Sequence, residues 1–222
     1  MNSQRFSLEI RFKDHGRPFN WRENLIRSIT GSVEINEAKV NIRDVIEIDL
    51  KNQNSKILIE QERLTIFSEH YSNIEQYKKF IDSVLERIIN NINWNKTSRI
   101  GIRAIWTHGV SDSYEDLVQK IKDKNFCKNT IVDESKDVAL SLTFSDGRNE
   151  INYNSGVMSK KEILQKYGIS LDKDEPNNCL VADVDYFSLN ETTFNKKNLR
   201  EFLDKALSYS KLKAEQTKDT LI

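Results

Sequence analysis

Residues 73 to 92 carry the clearest periodicity in this sequence. Apolar side chains recur there every three to four positions, so they fall on one face of a helix. Ser72 and Glu75, three residues apart, form a capping box at the start of the segment. A helix with one apolar face has to bury it against another layer of structure. The apolar positions are Ile74, Tyr77, Ile81, Val84, Leu85, Ile88, Ile89 and Ile92.

Segments in which apolar and polar residues alternate provide the other layer. Successive side chains of a strand point to opposite faces, so this pattern is typical of half-buried strands. Asp146-Gly147 predicts a hairpin, and residues 196–216 predict a second long helix whose end, 208–218, is polar on nearly every side. The other predicted elements are strands at 6–12, 46–50, 57–60, 64–68, 99–108, 138–144 and 180–186, short helices at 21–29, at 113–123 and after Ser159, and a loop over 124–136.

The order of these elements indicates the fold class. Hairpins and meanders dominate, and strict alternation of strand and helix is absent. We therefore expect an α+β fold with a mostly antiparallel, curved sheet covered by two long amphipathic helices. Strands followed by an amphipathic helix occur twice, which leaves open a construction from two similar halves. The chain is predicted to be a single domain, 1–222, with a subdivision into 1–95 and 96–222 as the alternative.

Charge and composition disfavour several classes of protein. The chain has 34 Lys and Arg against 34 Asp and Glu, so its formal net charge is +0. That balance disfavours a nucleic-acid or membrane role, although a local basic face stays open. The polar N-terminus does not resemble a signal peptide, and no apolar run could span a bilayer. Cys127 and Cys179 are too few for a disulfide framework, so we expect packed, reduced thiols and a cytoplasmic location.

Asp183 and Asp185 are the candidate catalytic residues. They lie two apart on a predicted strand, so both carboxylates project from one face and could hold a divalent cation or share a proton. The alternative is that this strand face is simply solvated. His108, at the end of a predicted strand, is a further candidate. The alternative is that it is an ordinary surface or loop histidine whose hydrogen bonds are satisfied. Since no third carboxylate and no metal-ligand spacing is evident, the sequence predicts no metal and no cofactor.

Arg99, Gly101 and Arg103 form the candidate site for a ligand or partner. Guanidinium groups bind phosphate or carboxylate with two parallel hydrogen bonds. A glycine between them would let a ligand approach the backbone closely. The alternative is that the two arginines form cross-strand ion pairs with acidic residues such as Glu9 or Glu47.

Three segments are characteristic when taken together. They are the strand Phe6–Phe12, the strand Arg99–Ile105 with its Arg-Ile-Gly-Ile-Arg run, and the strand Leu180–Asp185, which is followed by a long helix. In that order they resemble a sporadically distributed family of uncharacterised prokaryotic proteins with an Arg-(Ile/Val)-Gly-(Ile/Leu)-Arg central strand and a C-terminal strand-plus-helix ending. The resemblance implies a bacterial cytoplasmic protein from a mobile or defence gene cluster, but no known activity, and it offers no catalytic residues to carry over to this chain.

These observations favour a non-catalytic interaction or regulatory module of a bacterial system, with phage defence as the expected setting. Sequence motifs of serine hydrolases, P-loop NTPases and dinucleotide-binding enzymes are absent. The expected partner is a protein encoded near this gene. Two other hypotheses stay open: a metal-dependent phosphodiester or nucleotide enzyme that uses Asp183 and Asp185, and a module that binds a small ligand near Arg99 and Arg103.

Overall fold

The described part of the chain forms ten strands and five helices in the computed structural model. The structure describes residues 2–12, 27, 35–40, 45–50, 54–60, 62–69, 74–91, 96–126, 130–189, 192–193 and 195–221, and only the backbone of residues 3, 4, 35–40, 88–91, 130, 192 and 193. The strands are β1 (Asn2–Phe12), β2 (Ile35–Val40), β3 (Ile46–Leu50), β4 (Ser55–Ile59), β5 (Arg63–Glu69), β6 (Lys96–Val110), β7 (Ala139–Asp146), β8 (Asn149–Ser159), β9 (Asn178–Ser188) and β10 (Thr192–Thr193). The helices are α1 (Ile74–Asn91), α2 (Tyr114–Asn125), α3 (Thr130–Glu134), α4 (Lys160–Tyr167) and α5 (Lys196–Leu221).

All ten strands belong to one antiparallel sheet. Their order is β2-β3-β4-β5-β1-β6-β9-β8-β7, and the short β10 pairs with β6. Strand β1 therefore lies in the middle of the sheet, between β5 and β6. Within the described residues the sheet is open, with β2 and β7 at its edges. The predicted α+β class and antiparallel sheet are confirmed.

The main core lies on the sheet face that carries the even-numbered residues of β1. Phe6, Leu8 and Ile10 of that strand are at most 1% exposed, and they pack in one cluster with the apolar faces of α1 and α5. The Phe6 ring stacks on Tyr77 of α1 at a centroid distance of 4.6 Å. The helix predicted over 73–92 is confirmed, and its residues Ile81 and Val84 are buried as its periodicity requires.

Helix α5 continues beyond the predicted residue 216 and stays packed to its end. Residues 208–218 are polar by type on nearly every side, as the sequence indicates, yet one side of this part of the helix is buried. The side chains facing the sheet there are small or hydroxylated, and the sheet supplies their hydrogen-bond partners: Trp106 Nε1 donates to Ser210 Oγ over 2.8 Å, and the Tyr153 hydroxyl lies 2.6 Å from Thr217 Oγ1. The buried positions of this part of α5 are Ser210, Ala214, Thr217 and Leu221.

Capping and turn signals in the sequence predicted the short helices and the hairpin, and one short helix was missed. The Ser159–Glu162 capping box is present at the start of α4, and Gly168 ends that helix with a left-handed φ of 68°. The predicted hairpin joins β7 to β8. The predicted loop over 124–136 was wrong because it contains α3, a single turn too short to show a period. The helix predicted at 21–29 lies outside the described residues. Of the helices described, none is long and apolar enough to cross a membrane.

Candidate functional site

The face of the sheet opposite α1 and α5 carries all but one of the candidate site residues. Odd-numbered residues of β1, β6 and β9 point there, because the even-numbered ones fill the main core. Helix α4 covers one end of this face, over Ile105 and Val181. We call the remainder the charged face. The charged side chains of this face that surround the candidate residues are Glu9, Arg11, Arg63, Arg99, Arg103, Asp183 and Asp185.

Arg103 and Asp183 form a two-pronged ion pair between β6 and β9. Arg103 Nε donates to Asp183 Oδ1 over 2.8 Å, and Nη2 donates to Oδ2 over 2.7 Å. These bonds raise the pKa of Arg103. The Asp183 side chain is 5% exposed and the Arg103 side chain 50% exposed, so a buried carboxylate meets a half-exposed cation. The interpretation that this strand face is simply solvated was wrong for Asp183.

Tyr167, at the end of α4, completes the surroundings of this pair. The Arg103 guanidinium carbon lies 5.8 Å from the centre of the Tyr167 ring. Burial, and next the negative charge of Asp183, raise the pKa of Tyr167, so its hydroxyl stays protonated at neutral pH. Helix α4 thus shields one side of the buried carboxylate.

Arg99 is held between two acids and an aromatic ring. Its Nη2 donates to Asp185 Oδ2 over 3.0 Å, and its Nε lies 3.1 Å from Glu9 Oε1. The guanidinium carbon sits 4.2 Å from the centre of the Phe187 ring, within cation–π range. Burial raises the pKa of Asp185 above its ordinary value, although Arg99 acts in the opposite direction.

Gly101 provides the space in which the Arg99 side chain lies. A Cβ at position 101 would lie 3.2 Å from Arg99 Nη2 and 3.2 Å from Phe187 Cβ. Both contacts are tight for a carbon atom. The sequence suggested that this glycine lets a ligand approach the backbone, whereas the structure fills the space with the protein's own arginine.

Glu9 is the acidic centre of a row of three arginines. The register places Arg11 opposite Arg63 on one side and opposite Arg99 on the other. Glu9 Oε1 lies 3.0 Å from Arg11 Nε, and Glu9 Oε2 lies 3.6 Å from Arg63 Nη1. Arg63 also donates a hydrogen bond from Nε to Glu60, its nearer acidic partner. The predicted cross-strand pair between Arg99 and Glu9 is thus present, while Glu47 contacts Lys56 instead. A concavity of about 260 Å³ opens over the row, with Arg103 and Asp185 at its side.

His108 lies apart from the two aspartates. It belongs to β6, where it pairs with Leu180, and the regular register places it on the opposite face of the sheet from Asp183. Burial, and to a smaller extent the charge of Lys218, lower its pKa. Among the described residues, no group of three or more His, Cys, Asp or Glu side chains could hold a metal ion.

The cysteine prediction can be checked at one of its two positions. Cys179 is buried beside α4, and burial raises the pKa of its thiol to about 11. A thiol in that state is protonated and unreactive at neutral pH. The expected packed thiol is confirmed for Cys179, and Cys127 lies outside the described residues.

Sequence reasoning missed several members of the charged face. Phe187 continues the odd-numbered series of Asp183 and Asp185, so strict alternation could have placed it there. Arg11 likewise follows Glu9 by two positions. The contact of Tyr167 with Arg103 depends on how α4 folds back over the sheet, and no local pattern indicates it.

Comparison with protein-family models and with curated proteins gave no match to this chain.

Proposed function

We propose that this protein is a non-catalytic interaction module of a bacterial system, and that its charged face binds an acidic partner. Phage defence is the setting that the resemblance of its strands to the prokaryotic family suggests, and a cytoplasmic protein encoded near this gene is the proposed partner. The observation that carries the proposal is that the predicted catalytic aspartates are each held by an arginine.

The ion pairs weigh against acid–base or metal chemistry at these aspartates. A metal ion at Asp183 would have to displace two charge-assisted hydrogen bonds, of 2.8 and 2.7 Å, from Arg103. His108 cannot assist, because it points to the other face of the sheet. We therefore infer that the ion pair holds the Arg103 and Asp183 side chains in place and does not serve as a reacting centre.

The arginine row supports an acidic partner. Arg11, Arg63 and Arg99 all contact Glu9, and Arg63 and Arg99 have Glu60 and Asp185 as second acidic partners, yet the side chains of Arg11 and Arg63 are still 49% and 43% exposed. A guanidinium group has five N–H donors, more than one or two carboxylate contacts use, and a carboxylate or phosphate of a partner could accept hydrogen bonds from the remaining ones. The concavity above the row gives such a group room to enter.

Binding to the products of neighbouring genes tests the proposal. We expect Arg11→Ala and Arg63→Ala to weaken the binding of one such product at least tenfold, and added salt to weaken it further. The matched control is Arg200→Ala on α5, because the Arg200 side chain, like that of Arg11, is 49% exposed and pairs with a carboxylate. Equal weakening by Arg200→Ala, or no effect of the Arg11 and Arg63 variants, would contradict the proposal.

Binding of a small anionic ligand is the second candidate function, and the concavity of about 260 Å³ is the observation that favours it. Tripolyphosphate would then raise the melting temperature of the wild type but not of Arg11→Ala.

The enzyme hypothesis has its own test. Stoichiometric Mg²⁺ or Mn²⁺ binding that Asp183→Asn with Asp185→Asn abolishes would favour it over an interaction module.

We also propose that the fold consists of two similar halves that meet at β1 and β6. The strand order supports this arrangement, because β5, β4, β3 and β2 follow outward from β1, while β9, β8 and β7 follow outward from β6. In the first half β5 is followed by the long helix α1, and in the second half β9 is followed by the long helix α5, with only the two-residue β10 between them. The charged face would then lie at the junction between the halves.

A further inference from the structure

Strand β7 leaves one side of its backbone without a partner strand in the described part of the protein. It is an edge of the sheet and pairs only with β8 there. Its eight residues match β8 one to one, with no bulge or register shift. Proteins usually protect such an edge with charges, proline or a bulge. The run Ala139–Ser145 has none of these, whereas the other edge strand, β2, contains Glu37 and Lys39.

The hairpin fixes which backbone groups of β7 point outward. Gly147 and Arg148 form a two-residue turn that follows Asp146, which pairs with Asn149. The pair that closes such a turn is hydrogen-bonded, and hydrogen-bonded pairs then alternate along the ladder. The backbone N–H and C=O groups of the odd-numbered residues of β7 therefore face away from β8. Those residues are Ala139, Ser141, Thr143 and Ser145.

We propose that β7 binds β7 of a second copy of this chain, so that the two sheets become one antiparallel sheet across a two-fold axis. Pairing the outward backbone groups places Leu142 opposite Leu142 of the second copy. Leu142 is 44% exposed in the single chain, one of few large apolar side chains so exposed in the described residues. A non-hydrogen-bonded pair on the axis brings the two leucine side chains into close contact.

The sequence of β7 is complementary to itself in this register. Leu140 meets Phe144 on the face that also carries Leu142, and aromatic–aliphatic pairs across strands stabilise a sheet. Ser141 meets Thr143 on the other face, where two hydroxyl groups can form a hydrogen bond. No like charges oppose one another along the strand, because its only charged residue is the terminal Asp146, which Lys205 of its own chain contacts over 2.8 Å.

Oligomeric state as a function of concentration is the first test. Sedimentation of the purified wild type should show a monomer–dimer equilibrium below about 100 µM, in the range of weak protein interfaces. Leu142→Lys places two ammonium groups on the axis and should shift the equilibrium at least tenfold toward monomer. Leu164→Lys is the control, since Leu164 is 51% exposed on α4. A wild-type monomer at every concentration, or a dimer that Leu142→Lys leaves intact, overturns the proposal.

Disulfide trapping tests the register itself. In a chain with Cys127→Ser, Leu142→Cys should form a disulfide-linked dimer on mild oxidation, because non-hydrogen-bonded pairs have the Cβ separation that a disulfide needs. Thr143→Cys is the matched control. Position 143 faces Ser141 of the second copy, so the two cysteines introduced by Thr143→Cys would lie too far apart to link. Efficient cross-linking of Thr143→Cys, or none of Leu142→Cys, refutes this pairing, and circular dichroism verifies that both variants are folded.

Discussion

Removing Arg103 should destabilise the protein because it leaves the buried Asp183 carboxylate without its cation. The Asp183 side chain is 5% exposed and accepts two hydrogen bonds from Arg103. Breaking a buried ion pair by deleting one partner typically costs about 3–5 kcal/mol. The Arg103 side chain is itself 50% exposed, so water can reach part of the vacated space. We therefore expect Arg103→Ala to cost about 3 kcal/mol, at the lower end of that range.

Urea denaturation at pH 7 measures this loss, and a nearly matched ion pair serves as the control. Arg200 also binds an aspartate with two contacts and its side chain is 49% exposed, but its partner Asp82 is 32% exposed. Arg200→Ala should leave the denaturation midpoint unchanged. The double variant Arg103→Ala with Asp183→Ala should be more stable than Arg103→Ala alone, since it carries no unpaired buried charge. A loss below about 0.5 kcal/mol for Arg103→Ala would refute the argument that Asp183 depends on this arginine.

Two further predictions concern the opposite face of the sheet. In α1, Ile81→Ala and Leu85→Ala should each cost about 2–5 kcal/mol in urea denaturation, because both side chains are at most 3% exposed in the core; losses below about 0.5 kcal/mol at both positions would contradict the packing of this helix. Burial, assisted by Lys218, lowers the pKa of His108, so the folded state binds a proton there less tightly than the unfolded chain and stability falls as the pH drops below about 6.5. His108→Gln should make stability depend less on pH between about 7 and 5, and an unchanged pH dependence would exclude His108 as its source.

Period and capping were enough to predict most of the secondary structure. Alternation placed β1, β3 and β9, the apolar face of α1 identified its helix, and Ser159 with Glu162 located the start of α4. These signals involve residues that are close together in the chain, so a single sequence is enough to detect them. Helix α3 was missed because five residues are too few to show a period. The burial of the end of α5 was not predicted, because Ser210 and Thr217 count as polar by hydropathy, although the sheet supplies their hydrogen-bond partners.

The sequence predicted which residues form the candidate site, but it did not predict which of these residues pair with each other. Spacing alone placed Arg99 and Arg103 on one strand face, and Asp183 and Asp185 on another. That these four side chains pair with each other follows from β6 and β9 being neighbours, a fact of topology that no local pattern contains. The role of Gly101 could not be predicted either, because it depends on the position of the Arg99 side chain.

The central position of β1 has a consequence for how the chain folds. Strand β1 leaves the ribosome before β5 and β6, so it finds these partners only after they have been synthesised, and its residue Leu8 pairs with Ile66 and Ile102. Large loops must therefore close before the middle of the sheet forms, which slows folding. During that delay Phe6, Leu8 and Ile10 form an apolar strand open on both sides, which is the kind of segment that chaperones bind and that aggregates when it is left unprotected.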